Sequence, residues 1–191
     1  MLRITAGEFR GRRLKVPKVE ATRPLVERAR EGLFNHLQEL VDDAVIWDVY
    51  AGSGILGFEA LSRGAKSVLA VEYSRAAALQ IEQNADLLGL NESHRCLRGD
   101  AYRLPTMQGL GPSPDVIFFD PPYDDFRKGG SRRIKVWQLF LDLAALIAPG
   151  GCAVVHTPRG ILLDAESSAL PGLERRDYSN TSLYWWHKPQ S

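Results

Sequence analysis

The sequence predicts an α/β fold: a mostly parallel sheet with helices on both faces, closed by an antiparallel hairpin. Three observations predict it. From Val45 onward apolar β-type runs alternate with helical patterns, the signature of repeated βα units. A glycine loop, Gly52-Ser53-Gly54-Ile55-Leu56-Gly57, falls at the first of these strand–helix junctions. The tail then changes character: Leu173–Tyr178 and Ser182–His187, joined by Ser179-Asn180-Thr181, read as a hairpin.

The elements follow in order. Leu2–Ala6 and Arg13–Val16 flank Gly7-Glu8-Phe9-Arg10-Gly11 and predict a basic hairpin. Thr22-Arg23-Pro24 leads into a helix over Val26–Leu40, whose Val26, Ala29, Leu33 and Leu37 recur at helical spacing. Strands are predicted at Val45–Tyr50, Ser67–Glu72, Cys96–Arg98, Val116–Asp120 and Cys152–His156. Between them lie helices at Ile55–Arg63 and Ser74–Leu88, a short one after Asp100, and one at Val136–Ile147. Pro149-Gly150-Gly151 breaks the chain before the fifth strand. Residues 1–40 read as a small appendage and 41–191 as the main domain.

Bulk properties narrow the class. At 191 residues with 45% hydrophobic and 25% charged content, the chain is expected to be soluble and globular. No apolar run reaches membrane-spanning length, and the N-terminus lacks the apolar core of a signal peptide. Cys96 and Cys152 lack metal-type spacing and are expected to be reduced and buried in a cytoplasmic protein. His36, His94, His156 and His187 are scattered, so no metal site is expected. Net charge is only +1, yet residues 1–30 carry a local +6 and residues 127–135 a local +5. Positive charge gathered into two segments of a near-neutral chain predicts a polyanionic partner. The candidate contacts are Arg10, Arg12, Arg13, Arg23, Arg28, Arg30, Arg132, Arg133 and Lys135.

The chemistry concentrates at strand ends. Val116-Ile117-Phe118-Phe119 runs into Asp120-Pro121-Pro122-Tyr123. Two prolines fix φ and remove two donors, leaving a stiff loop with a carboxylate, carbonyls and a ring. Such a loop can accept hydrogen bonds from a planar amine and stack on the ring carrying it. The first strand ends Asp48-Val49-Tyr50-Ala51-Gly52-Ser53-Gly54, with Glu72 about 20 residues on. That matches the dinucleotide fingerprint, so a nicotinamide enzyme is one reading. Asp48 favours a cationic cofactor instead, because a pyrophosphate does not welcome a carboxylate. Gly99-Asp100-Ala101 follows the third strand, where an acceptor can read an adenine amine, or Asp100 can simply cap a helix. Glu72 and Tyr73 end the second strand, with Glu72 placed to accept from ribose hydroxyls.

Taken together these motifs resemble class I S-adenosylmethionine-dependent methyltransferases acting on exocyclic amines. Arg10-Gly11-Arg12-Arg13-Leu14, Thr22-Arg23-Pro24, Glu27–Asn35 and Gly57–Ala65 further resemble the RsmD family. The resemblance implies a Rossmann-like seven-stranded sheet and methylation of a guanine N2 amine in 16S ribosomal RNA. It assigns catalysis to Asp120, Pro121, Pro122 and Tyr123, and S-adenosylmethionine binding to Asp48, Tyr50, Ala51, Gly52, Ser53, Gly54, Glu72, Tyr73, Asp100 and Ala101. The chain is expected to act as a monomer on RNA, free or within a small subunit. Leu25, His156-Thr157 and Asn180 depart from the residues usual there, Glu being frequent at the end of strand five. The competing readings are a DNA adenine-N6 methyltransferase, a nicotinamide-dependent oxidoreductase and a non-catalytic RNA-binding module.

Overall fold

A computed structural model describes residues 2–16, 25–126, 130–162 and 164–190. Arg23 of the expected RNA-contact set lies outside these residues, as do Arg127 and Lys128. The chain begins with a two-stranded ribbon, β1 (Leu2–Arg3) and β2 (Arg13–Leu14), shorter than the sequence predicts. Helices α1 (Glu27–His36) and α2 (Gln38–Val41) follow. The single helix expected over Val26–Leu40 is broken at Leu37. The sheet is built from β3 (Val45–Val49), β4 (Ser67–Glu72), β5 (His94–Arg98), β6 (Val116–Phe119), β7 (Cys152–Pro158), β8 (Glu174–Tyr178) and β9 (Thr181–His187). Its order is β5-β4-β3-β6-β7-β9-β8. The first five strands are parallel, and β9 joins β7 and β8 antiparallel.

Parallel strands with helices on both faces must be apolar on both sides, which is why β6 is Val-Ile-Phe-Phe, all buried. The alternation of side chains splits the core in two. Ile46, Ala70, Phe118 and Val154 pack against α1, α3 (Ile55–Ser62) and α4 (Arg75–Leu88). Trp47, Leu69, Ile117 and Val155 pack against α5 (Ser131–Leu146). Ser74 caps α4 by accepting from the Ala77 amide, and Gly89 ends it at φ 70°. The short helix α6 (Asp164–Ser168) sits between β7 and β8. A two-residue turn, Ser179-Asn180, joins β8 to β9.

Two features depart from expectation and bear on the site. Helix α5 starts five residues before Val136, so Arg132, Arg133 and Lys135 lie in helix rather than loop. Cations oppose the dipole there, so local pattern reading argues against a start at that point. Second, the N-terminal ribbon shares the main core: Ile4 and Leu14 join Leu33, Ile46 and Phe58 in one cluster. All eight residues of α3 are buried, because the sheet covers one side and the ribbon the other.

Candidate active site

Chain order reverses between β3 and β6, since β4 and β5 extend one way and β6 and β7 the other. Crevices open beyond the carboxyl ends of strands at such a switch point. A cavity of about 980 Å³ lies there. It is lined by Asp48, Tyr50, Ala51, Gly52, Ser53, Glu72, Tyr73, Asp100 and Ala101, together with Asp120, Pro121, Pro122 and Tyr123. Of the expected cofactor residues Gly54 alone does not line it; it opens α3 at φ 73°.

Tyr50 turns the chain out of β3 in the left-handed region, at φ 64°, an uncommon conformation for a bulky residue. Its ring meets Phe119 edge-on at 5.4 Å. The turn delivers the Gly52 amide to Glu72 Oε2 at 2.8 Å, while Glu72 Oε1 accepts from the Ser74 amide at 2.7 Å. Glu72 therefore ties the glycine loop to the start of α4. Each oxygen keeps a second lone pair for a ligand. Gly57 has a separate reason to be glycine. A Cβ there would lie 2.8 Å from Val68 Cγ1 and 3.3 Å from Asp48 Oδ2. Its amide donates to Asp48 Oδ2 at 3.0 Å.

Asp48 is 1% exposed. Burial, opposed by the Gly57 N–H and reinforced by Asp120 and Glu72, pushes its carboxyl up to about 8. Asp100 Oδ1 accepts from the Tyr102 amide at 3.0 Å, capping the 3₁₀ turn Ala101–Thr106, so one of its oxygens does the capping work. Asp124 brings the acidic side chains on the lining to five, and among the described residues no Lys or Arg lines it. An acidic, partly apolar cavity of this kind suits a cation with an apolar body.

Asp120 lies one residue beyond β6, where Phe119 pairs with Val155. The next rung brings Asp120 Oδ1 within 2.6 Å of His156 Nδ1. Tyr123 opens a 3₁₀ turn, Tyr123–Phe126, and its hydroxyl lies 3.1 Å from both His156 Nε2 and Thr181 Oγ1. His156 and Thr181 are not marked by the sequence motifs. Their place emerges only once β7 is known to flank β6 and β9 to flank β7. Tyr102 is a further lining residue outside the expected set, although its position directly after Asp100-Ala101 is a usable signal.

The expected RNA-contact residues divide. Arg10, Arg12, Arg13, Arg28, Arg132 and Lys135 are exposed. Arg30 and Arg133 are corrected to internal, paired cations. Arg30 is 1% exposed, with Nε 3.4 Å from Glu59 Oε2 and Nη2 donating to the Arg3 carbonyl. Burial holds its guanidinium below the usual range. Glu59 also accepts from the Thr5 and Ala6 amides and from Arg63 Nε. Arg133 donates to both Glu166 oxygens and to the Phe126 and Ile161 carbonyls, fixing the segment after Tyr123 to the one after β7. Buried at 1% and 5% exposure and turned toward internal acceptors, neither guanidinium presents its fork to a phosphate at the surface. Neither cysteine forms a disulfide; Cys152 is buried, whereas Cys96 is only half-buried.

The fold and the switch-point cavity define a Rossmann-like protein of the methyltransferase type. A solved structure described as "Putative methyltransferase yhhF from Escherichia coli" superposes with a TM-score of 0.80 at 28% identity, covering 100% of this chain and 99% of that one. The family model "Conserved hypothetical protein 95" matches residues 2–187, and the chain belongs to that family, the RsmD family. "Ribosomal RNA small subunit methyltransferase D" of Escherichia coli is 38% identical over 128 residues, 67% of this chain and 62% of that protein. The matched region thus spans less than two thirds of that relative's length. "Putative rRNA methyltransferase YlbH" of Bacillus subtilis is 28% identical over 188 residues, 98% of this chain and 99% of that protein.

Proposed function

We propose that this protein transfers a methyl group from S-adenosylmethionine to the exocyclic N2 amine of a guanine in 16S ribosomal RNA, acting as a cytoplasmic monomer. The observation that carries the reading is the sharing of one cavity by the Asp120-Pro121-Pro122-Tyr123 loop and the glycine loop with Glu72. The family and the names of its relatives support an RNA substrate.

The residues fit the cofactor. Five acidic side chains, with no Lys or Arg among the described lining residues, suit a sulfonium and an ammonium, and the ionised ones would repel a pyrophosphate. The Gly52 amide, which a dinucleotide site would offer to phosphate, is spent on Glu72. This speaks against the nicotinamide reading. Asp48 would hold the amino-acid end, Glu72 the ribose, and Asp100 with Ala101 the adenine. When bound, S-adenosylmethionine supplies an electrophilic methyl group.

The guanine amine is a poor nucleophile because its lone pair is delocalised into the ring. Asp120 and the Pro121 carbonyl each accept one N–H bond, which favours a pyramidal nitrogen. Held so, the nitrogen would present its lone pair to the methyl group that S-adenosylmethionine would supply when bound. The surplus amine proton leaves to Asp120 or to water. The Tyr123 ring stacks on the base, worth about 1–3 kcal/mol. The base must be unstacked to enter. Much of the rate comes from positioning. Asp120→Ala should abolish transfer while cofactor affinity changes by less than about threefold. The test is methylation of ribosomal RNA from a strain lacking the gene, followed by nucleoside digestion. N2-methylguanosine at one small-subunit position supports the proposal; N6-methyladenine in duplex DNA would establish the rival methyltransferase.

A further inference from the structure

His156 lies beneath both groups assigned to the base. Its residue is 4% exposed, and each ring nitrogen is engaged. Nδ1 faces Asp120 Oδ1 at 2.6 Å, a short hydrogen-bond distance. Nε2 is flanked by Thr181 Oγ1, in close contact, and by the Tyr123 hydroxyl at 3.1 Å. Thr181 in turn donates to the Thr157 carbonyl at 2.7 Å. The ring orientation is thereby fixed by β7 and β9, two strands of the sheet, rather than by a loop.

We propose that His156 is a positioning residue for the transfer step: its Nδ1–H holds Asp120 Oδ1, and its Nε2 anchors the Tyr123 hydroxyl. This rests on the role of Asp120 given above. An aspartate side chain at a cavity mouth rotates about two bonds. Asp120 is 25% exposed, so the cavity wall alone does not fix it. Once one oxygen is tied to a buried imidazole, the other has a defined direction for the amine. The same imidazole fixes the far end of the Tyr123 ring. One residue therefore sets the distance between the acceptor and the stacking surface. A carboxylate in place of His156 would offer no such donor and would face Asp120 as a like charge.

The variants His156→Ala, His156→Asn and His156→Gln, with Asp120→Ala as control, separate this role from a structural one. The Asn amide nitrogen occupies the place of Nδ1 and can still donate to Asp120. The Gln amide reaches the place of Nε2 instead. His156→Ala should lower kcat about 100-fold, the cost of misplacing a reacting group by about 1 Å. The dissociation constant for S-adenosylmethionine should stay within about twofold. His156→Asn should recover at least tenfold of the loss, and His156→Gln, which keeps only the contact to the Tyr123 hydroxyl, should recover less. A wild-type kcat in His156→Ala beside an inactive Asp120→Ala would overturn the proposal and leave the Asp120 mechanism standing. Equal recovery by Asn and Gln would overturn it as well. Activity in Asp120→Ala would remove the underlying reading instead. If His156→Ala does not fold, the Asn and Gln comparison decides, since both keep a polar side chain in the buried site.

Discussion

Asp48 should make cofactor binding depend on pH in a way that can be calculated. Its carboxyl is pushed up to about 8 by burial and by Asp120 and Glu72, so it is protonated in the ligand-free protein at neutral pH. A cationic amino-acid group beside it reverses that preference, and the acid ionises as the ligand enters. At pH 6 about 1% of the free protein carries ionised Asp48, and at pH 8 about half does. Affinity for S-adenosylmethionine should therefore rise about 50-fold over that window, roughly 2.3 kcal/mol. Titration calorimetry at pH 6.5 in buffers of different ionisation enthalpy should show release of nearly one proton per ligand. In Asp48→Asn the release should vanish and the affinity should become flat with pH and weak. Stability carries the opposite sign. A buried acid with a raised folded pKa binds more protons folded than unfolded, so ligand-free stability should decline as pH rises from about 4 to about 8. Asp48→Asn should remove that decline and melt higher than the parent at pH 8. The same proton release in Asp48→Asn as in the parent would refute the reasoning.

Three further outcomes are expected. Glu72→Ala should weaken S-adenosylmethionine by more than one lost hydrogen bond of about 1.5–3 kcal/mol, because the Gly52 and Ser74 amides lose their partner too; calorimetry beside Glu72→Gln measures the difference. Glu59→Ala leaves Arg30 buried without its carboxylate and should cost about 3–5 kcal/mol in urea unfolding, whereas breaking the exposed pair Arg3–Glu27 should leave the unfolding midpoint nearly unchanged. Arg132→Ala with Lys135→Ala should flatten the salt dependence of RNA binding, by about 0.7 in slope for each phosphate no longer neutralised, and leave cofactor affinity unchanged; an unaltered slope would assign RNA binding to Arg10, Arg12 and Arg13 alone.

Much of the fold and the site is legible in the residues because the relevant constraints are local. Val116–Phe119 ends in two prolines, and the glycine loop ends β3, so both chemical segments announce their strand ends. Parallel-sheet logic then puts those ends on one side. What cannot be read is lateral. Arg30 and Arg133 look like their exposed neighbours, and only the fold supplies Glu59 from α3 and Glu166 from α6. His156 looks like one of four scattered histidines because its partner lies just beyond the end of the neighbouring strand, 36 positions earlier. The start of α5 escapes pattern reading because Arg132, Arg133 and Lys135 contradict the dipole rule, and a tertiary ion pair with Glu166 outweighs it at Arg133.

Helix α3 is eight residues, about 12 Å, and both proposed ligands lean on it. Its first turn gives the Gly57 amide to Asp48 under the cofactor cavity. Its second turn, through Glu59 and Ser62, holds the backbone of residues 5–9, from which Arg10, Arg12 and Arg13 project. A short rigid rod with a ligand at either end transmits displacement in both directions. Under the proposed function, RNA bound to the arginine arm would be linked through α3 to the loop at the cofactor cavity, and S-adenosylmethionine affinity measured with and without RNA tests that link. By thermodynamic reciprocity, any coupling carried this way would change the two affinities by the same factor.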